Sequence, residues 1–212
     1  MTERDVQIPT GVAPLAGVLS VPSLAVGVVL FAHGSGSSRL SPRNAFVAGV
    51  LRAAHMATLL FDLLSEREAA DRANVFAVDF LARRLRDATA WVRLSEMTRE
   101  LPVGYFGAST GAAAALIAAA DDPTIRAVVS RGGRPDLAKR VLWKVKSPTL
   151  LIVGSDDFPV MRLNEEAYEL LGCERQLSIV PGASHLFEEP GTLEEVTRLA
   201  AQWFSRHFTT PQ

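Results

Sequence analysis

The chain has 212 residues, of which 48% are hydrophobic and 21% are charged, a balance typical of a globular protein with a sizeable core. Its formal net charge of −1 gives no electrostatic reason to expect a nucleic acid or an anionic membrane as a partner. We therefore expect a single domain over residues 1–212, with homodimer formation left open.

Two further features bear on location and on the lone cysteine. The first residues, MTERDVQIPTG, lack the basic start and apolar run of a signal peptide. No stretch approaches the roughly 18 apolar residues that span a bilayer, so we expect a soluble cytoplasmic protein. Cys173 is the single cysteine, which excludes an internal disulfide, and its favoured role is half-buried packing.

Apolar runs and turn residues predict strands and helices that alternate along most of the chain. The predicted strands cover residues 6–8, 15–21, 26–32, 57–61, 103–106, 125–130, 149–153 and 177–180. The predicted helices begin at Ser41–Pro42, cover about 74–94, 112–120 and 160–171, follow Pro135, and begin at Thr192. This alternation predicts an α/β fold, with a mostly parallel sheet and helices on both faces.

Chemically distinctive residues directly follow the predicted strands. They are residues 33–39, Asp62, Ser109, residues 131–134, the pair Asp156 and Asp157, and His185. In open sheets of this class, ligands bind beyond the carboxyl ends of the strands. The shared position of these loops therefore predicts an active site at that edge of the sheet.

The strongest single motif is Gly107-Ala108-Ser109-Thr110-Gly111, a match to G-x-S-x-G between a predicted strand and an Ala-rich helix. In such a turn the serine is held in strained backbone geometry, and the flanking glycines allow the neighbouring chain to pack closely. The motif predicts that Ser109 is a nucleophile. An ordinary turn bounded by glycines is the alternative.

A serine hydroxyl is a poor nucleophile near pH 7, so it needs a base and an acidic group that orients the base. Asp156, Asp157 and His185 follow strands and are candidates for these roles. His33 precedes the nucleophile and belongs to a Gly-rich loop, while His55 and His207 are expected at the surface.

Four segments together resemble the α/β-hydrolase family, and within it the small, lid-free dienelactone hydrolase-like esterases. The segments are HGSGSSR (33–39), GYFGASTG (104–111), GSDDFPV (154–160) and PGASHLFEEP (181–190). The resemblance covers essentially the whole chain. It implies a triad of Ser109, Asp157 and His185, with Asp156 as the alternative acid.

The resemblance also implies a site for the oxyanion, a reaction and a limit on specificity. Backbone N–H groups of Thr110 and Ser35, with Gly36 as the alternative to Ser35, would bind the oxyanion. True dienelactone hydrolases use a cysteine where this chain has Ser109, so general hydrolysis of small esters or lactones is favoured over the specific lactone reaction. No cofactor or metal is expected, because the histidines show no metal-ligand spacing.

Other functions stay open at this point. The same fold carries acyltransferases, thioesterases and peptidases, and it also carries proteins without catalysis that only bind a ligand.

The segment between the sixth and seventh predicted strands spans only about residues 131–148, which leaves no room for a lid domain and favours small, soluble substrates.

Arginines at the strand ends are candidates for binding the carboxylate of a substrate, because a guanidinium offers a planar two-donor fork. Arg39 and Arg131 are the predicted residues, with Arg43 and Arg134 nearby in the pattern. Salt bridges to Asp62 or Asp136 are the alternative. Phe187, together with Phe158 and Leu186, flanks the triad candidates and either lines an acyl pocket or serves packing.

Overall fold

The computed structural model describes residues 1–11 and 13–209, which form one eight-stranded sheet and its covering helices. The strands are β1 (Thr2–Ile8), β2 (Leu15–Val21), β3 (Gly27–Ala32), β4 (Met56–Phe61), β5 (Val103–Ala108), β6 (Ala127–Arg131), β7 (Thr149–Gly154) and β8 (Arg175–Val180). The helices are α1 (Pro42–Ala53), α2 (Glu66–Ala69), α3 (Arg72–Phe76), α4 (Val78–Leu94), α5 (Thr110–Ala120), α6 (Phe158–Leu170) and α7 (Thr192–Thr209).

The sheet is mostly parallel, as predicted. Its strand order is β1-β2-β4-β3-β5-β6-β7-β8, in which β1 and β2 run antiparallel to their neighbours and all other pairs are parallel. The carboxyl ends of β3, β4, β5, β6 and β7 therefore meet at one edge, which is where the chemically distinctive loops were predicted.

Helices cover both faces of this sheet, so the predicted fold class is confirmed. Side chains of α1 and α7 pack with one face in a cluster that includes Val47, Val196 and Phe204. Helices α4, α5 and α6 and a 3₁₀ helix (Pro135–Lys144) pack on the other face. Helix α5 is buried from Thr110 to Ala119, because small alanines let it lie close against the sheet.

Three elements differ from the prediction. The helix predicted over about 74–94 is divided at Ala77 into α3 and α4. The strand predicted at 6–8 begins at Thr2, and its polar, exposed residues give no hydrophobic signal although they pair with β2 along the whole strand. The segment after β4, for which the sequence predicts no element before the helix at about residue 74, contains α2, whose first turn is closed by a capping box of Ser65 and Glu68.

The connection between β6 and β7 is short. Between β6 and β7 the chain forms only the 3₁₀ helix, so the site carries no lid domain. Within residues 1–11 and 13–209, no helix combines the length and the apolar character that crossing a bilayer requires.

Candidate active site

Ser109 occupies a sharp turn between β5 and α5. Its backbone has φ +51° and ψ −121°, a conformation that costs energy in a residue other than glycine. A Cβ atom at Gly107 would lie 2.5 Å from the Cα of Ala112, and one at Gly111 would overlap the carbonyl oxygen of Ala32. The close packing of strand, turn and helix therefore requires both glycines of the motif and holds the serine in its strained conformation.

The imidazole of His185 is bound by one of the two candidate aspartates. Nδ1 of His185 lies 2.6 Å from Oδ2 of Asp157, which directly precedes α6. Asp156 points elsewhere: it is exposed, and its carboxylate accepts the hydroxyl of Ser155. A proton on Nδ1, donated to Asp157, leaves Nε2 of His185 free to accept a proton.

The loop after β6 contacts both the serine turn and the histidine. The N–H of Ser109 donates to the carbonyl of Arg131 at 3.3 Å, and the N–H of Arg134 donates to the carbonyl of Ser109 at 3.1 Å. Between them, Gly132 has φ +51°, and a Cβ atom there would lie 3.6 Å from Cε1 of His185. Ser109 and His185 are thus gathered around one tight loop.

Glu189 was not predicted from the sequence, yet it fixes the loop that carries His185. The N–H of Ser184 donates to Oε2 of Glu189 at 3.1 Å. Hydrogen bonding from the side chain of Ser184, and then from its backbone, lowers the pKa of the Glu189 carboxyl. The carboxylate thereby closes a short loop around His185. Its signal in the sequence is weak, because an acidic residue in an exposed loop is usually only solvated.

The loop after β3 lies against the serine turn. A Cβ atom at Gly34 would lie 3.0 Å from the Cβ of Ser109, so only glycine allows this approach without displacement. The next residue, Ser35, donates its N–H to Oγ1 of Thr110 at 3.0 Å. Both residues that were predicted to bind the oxyanion are therefore neighbours in space.

His33 ties this loop to the end of β4. Its Nε2 accepts the N–H of Leu63 at 3.1 Å, and its Nδ1 lies 3.0 Å from the carbonyl of Gly34. These two bonds together require a neutral ring with the proton on Nδ1. Burial lowers the pKa of His33, in keeping with that neutral form.

Three of the four candidate arginines are already paired with acidic side chains. The pairs are Arg39 with Asp62, Arg43 with Glu188, and Arg134 with Asp136. The backbone N–H of Arg39 also donates to Asp62, at 2.7 Å. For Arg39 the salt-bridge alternative thus accounts for the side chain, and its carboxylate-binding role has no structural support.

Arg131 differs from the other three. Only 7% of its surface is exposed, and no acidic partner lies within salt-bridge distance among the described residues. Its Nε is buried without an acceptor, and its guanidinium carbon lies 5.9 Å from the centre of the Phe187 ring. Burial, and to a lesser degree the nearby Arg43, lower the pKa of Arg131 to about 10.

Phe187 serves packing in this structure. It is 2% exposed, it belongs to the same core cluster as the side chains of α1 and α7, and it covers Arg131. Phe158 and Leu186 are exposed instead. Of the two predicted roles of Phe187, packing is the one seen here, with the ring beside the guanidinium of Arg131. Its role in lining a substrate pocket stays a prediction.

A cavity of about 590 Å³ opens beside the loop after β3. Its lining includes Ser35, Leu63, Ala69, Val75 and Leu81, so it lies between that loop and helices α2 to α4. Small-molecule sites typically measure about 300–1,000 Å³, and this cavity falls within that range.

The remaining histidines and the cysteine lie outside the site. His55 is exposed, as predicted, but His207 is 7% exposed and packs 4.6 Å from Trp203, so the prediction of a surface residue is wrong there. Cys173 is half-buried, with Sγ 3.8 Å from Oγ1 of Thr149. In the part of the chain that the structure describes, no group of three or more His, Cys, Asp or Glu residues is arranged to hold a metal ion.

The sheet order and the strand, serine turn and helix around Ser109 are those of an α/β-hydrolase. The chain belongs to the dienelactone hydrolase-like branch of that superfamily. It is 54% identical to a crystal structure named as the dienelactone hydrolase of Anabaena variabilis, with a TM-score of 0.94 over 97% of this chain and 98% of that one.

More distant structures share the fold. Est1E from Butyrivibrio proteoclasticus is 14% identical, with a TM-score of 0.84 over 97% of this chain and 99% of that one. A serine hydrolase without a lid from Xanthomonas campestris is 20% identical, with a TM-score of 0.81 over 99% of this chain and 97% of that one.

Among curated proteins, the chain is 56% identical, over all 212 residues, to a Mycobacterium tuberculosis protein provisionally named as a phosphoribosyl transferase. The chain spans about half of that relative, 48% of its length. No family model matches the chain.

Proposed function

We propose that the chain is a serine hydrolase that cleaves small carboxylic esters or lactones through an acyl-enzyme. Ser109 is the nucleophile, His185 is the base, and Asp157 orients the imidazole and stabilises its charge. The observation that carries this proposal is the 2.6 Å hydrogen bond between His185 and Asp157, placed around the same loop as the strained Ser109 turn.

The proposed reaction gives each of these residues a role. Nε2 of His185 takes the Ser109 proton as Oγ attacks the carbonyl carbon, and the resulting imidazolium then protonates the departing alcohol oxygen. Water, activated by the same nitrogen, releases the acid and restores the serine. For a lactone the alcohol stays attached to the acyl chain, so hydrolysis gives a single hydroxy acid.

One feature near the serine turn supports a preference for esters that carry an acidic group. Arg131 is a buried cation without an acidic partner among the described residues, and it lies behind the loop that carries His185. A substrate carboxylate would supply the missing charge. The cavity of about 590 Å³ is lined by Ser35 but not by Ser109, Asp157 or His185, so we assign it no part in this preference.

The transferase name of the curated relative describes a protein about twice as long as this chain. The matched part carries the α/β-hydrolase fold, so we base the proposed activity on the site and not on that name. The cysteine of true dienelactone hydrolases is replaced by Ser109, which favours ordinary ester chemistry over that specific lactone reaction.

Hydrolysis of short p-nitrophenyl esters tests this function. We expect turnover by the wild-type protein and its loss in Ser109→Ala, with both proteins equally folded by circular dichroism. Absence of turnover in folded wild-type protein, or equal turnover in the variant, would contradict the proposal. Adding a competing alcohol and identifying the products then separates hydrolysis from acyl transfer.

A further inference from the structure

The hydroxyl of Thr110 occupies an unusual position beside the nucleophile. Thr110 is the first residue of α5, it is 4% exposed, and its Oγ1 accepts the N–H of Ser35 at 3.0 Å. No acceptor for the proton of this hydroxyl is found among the described residues. A buried hydroxyl normally uses both its donor and its acceptor capacity, so this group is half satisfied.

This arrangement changes how the oxyanion would be bound. The N–H of Ser35, expected to donate to the oxyanion, already donates to Thr110. A hydroxyl that accepts one hydrogen bond still carries its own proton, so Thr110 can at the same time donate a hydrogen bond to a third atom. That residue also contributes the backbone N–H expected at the oxyanion, so both donors would come from one position.

We propose that the side-chain hydroxyl of Thr110 is an oxyanion donor. The N–H of Ser35 donates to Oγ1 of Thr110, and the O–H of Thr110 donates to the negative oxygen of the tetrahedral intermediate. No proton is transferred in this step, and the two bonds polarise each other in the same direction. Ser35 then acts through Thr110 as a positioning residue. This inference rests on the proposed hydrolase function.

The competing interpretation is that the hydroxyl only occupies the Ser35 N–H in the resting protein. In that case the hydrogen bond between Ser35 and Thr110 would break when substrate binds. Removing the Thr110 hydroxyl would then free the N–H of Ser35 for the oxyanion. The two interpretations predict opposite effects of the same substitution on the rate.

The experiment compares Thr110→Val, which keeps the shape and deletes the hydroxyl, with Thr110→Ser, which keeps the hydroxyl. Thr197→Val is the matched control, because Thr197 is also 4% exposed but its hydroxyl donates to Glu194 on α7. For each variant, kcat and KM are measured with p-nitrophenyl acetate, together with the affinity for a boronic acid that forms a tetrahedral adduct with serine.

We expect Thr110→Val to lower kcat about 10²- to 10³-fold with little change in KM, because the lost bond forms with the transition state and not with the substrate. The affinity for the boronic acid should fall by a similar factor. Thr110→Ser should retain most of the rate, and Thr197→Val should match the wild-type kcat even where its melting temperature falls.

Two outcomes overturn the inference while leaving the hydrolase function in place. One is a Thr110→Val variant as fast as the wild type or faster. The other is an equal loss of kcat in Thr110→Val and Thr110→Ser accompanied by an equal loss of thermal stability, which indicates a packing role. A folded wild-type protein without ester turnover would instead remove the hydrolase function, and the inference with it.

Discussion

The arginines on the two sides of the Ser109 turn differ in whether they have an acidic partner. On the side of the loop after β3, Arg39 is paired with Asp62, which follows the neighbouring strand β4. On the side of His185, Arg131 lies at the end of β6, is more deeply buried, and has Arg43 as a nearby charge instead of an acid. Equal positions at strand ends therefore do not imply equal availability for a ligand.

The difference has an energetic consequence. A charge taken out of water costs free energy unless a partner compensates it. Asp62 compensates Arg39 within the protein, whereas the cost at Arg131 is uncompensated by any described acidic side chain, which is why burial lowers its pKa to about 10. An anionic ligand gains most where the protein itself supplies no counter-charge.

The largest expected effect lies on the histidine side. Asp157→Asn should lower kcat by about 10⁴-fold, because the amide would favour the wrong imidazole tautomer. Asp156→Asn is the control, since Asp156 only accepts the Ser155 hydroxyl and should retain nearly full activity. The comparison is measured by ester kinetics, and a larger loss in Asp156→Asn would reverse the assignment of the acid.

The next effect lies on the side of the loop after β3. Ser35→Pro deletes the N–H that holds the Thr110 hydroxyl and should lower kcat by up to about 10²- to 10³-fold, the loss expected when the oxyanion donor itself is removed. Ser35→Ala keeps that N–H and should be close to wild type. Equal kcat values for the two variants would show that this N–H has no part in catalysis.

A smaller effect is expected to distinguish Arg131 from Arg39 in the preference for a charged substrate. Arg131→Leu should lower kcat/KM about 10- to 100-fold for p-nitrophenyl hemisuccinate but not for p-nitrophenyl butyrate, because a charged hydrogen bond contributes about 1.5–3 kcal/mol. Arg39→Leu should leave the ratio of the two substrates unchanged, although it leaves Asp62 without its partner. A wild-type protein indifferent to the substrate charge would remove Arg131 from the binding site.

The smallest effect is a pH dependence of stability. Burial lowers the pKa of His33 below its usual 6.5, so the unfolded chain binds more protons between those two pKa values. The contribution of buried, neutral His33 to the free energy of unfolding is fully present above pH 6.5, and it is lost as the pH falls toward the lowered pKa.

Urea unfolding at pH 7.5 and pH 5.0 measures this effect. His33→Gln should lose less unfolding free energy between the two pH values than the wild type. His207, whose pKa is also lowered by burial, is present in both proteins and cancels in the comparison. An identical loss in both proteins would contradict the role of His33.

Much of this architecture is predictable because it depends on local patterns. Unbroken apolar runs mark the parallel strands, and Gly107 and Gly111 mark a turn that only glycine can flank. Asp157 and His185 can be placed near Ser109 because each directly follows a strand that ends at the same edge.

Side-chain partners between distant segments are not predictable in this way. Ser35 and Thr110 are separated by 75 positions, and no sequence pattern indicates that one donates to the other. Strand order and helix placement determine that Arg39 pairs with Asp62. They also determine that Arg131 has no acidic partner among the described residues. The same applies to His207, which is buried only because α7 folds back onto the sheet.

The central claim is that Ser109 is an activated nucleophile, and covalent labelling tests it most directly. Folded wild-type protein is treated with a fluorophosphonate and analysed by intact mass and peptide mapping. We predict one phosphonate per chain, attached to the peptide that contains Ser109, and none on Ser109→Ala. An unlabelled wild-type protein, or equal labelling of the variant, would contradict the account.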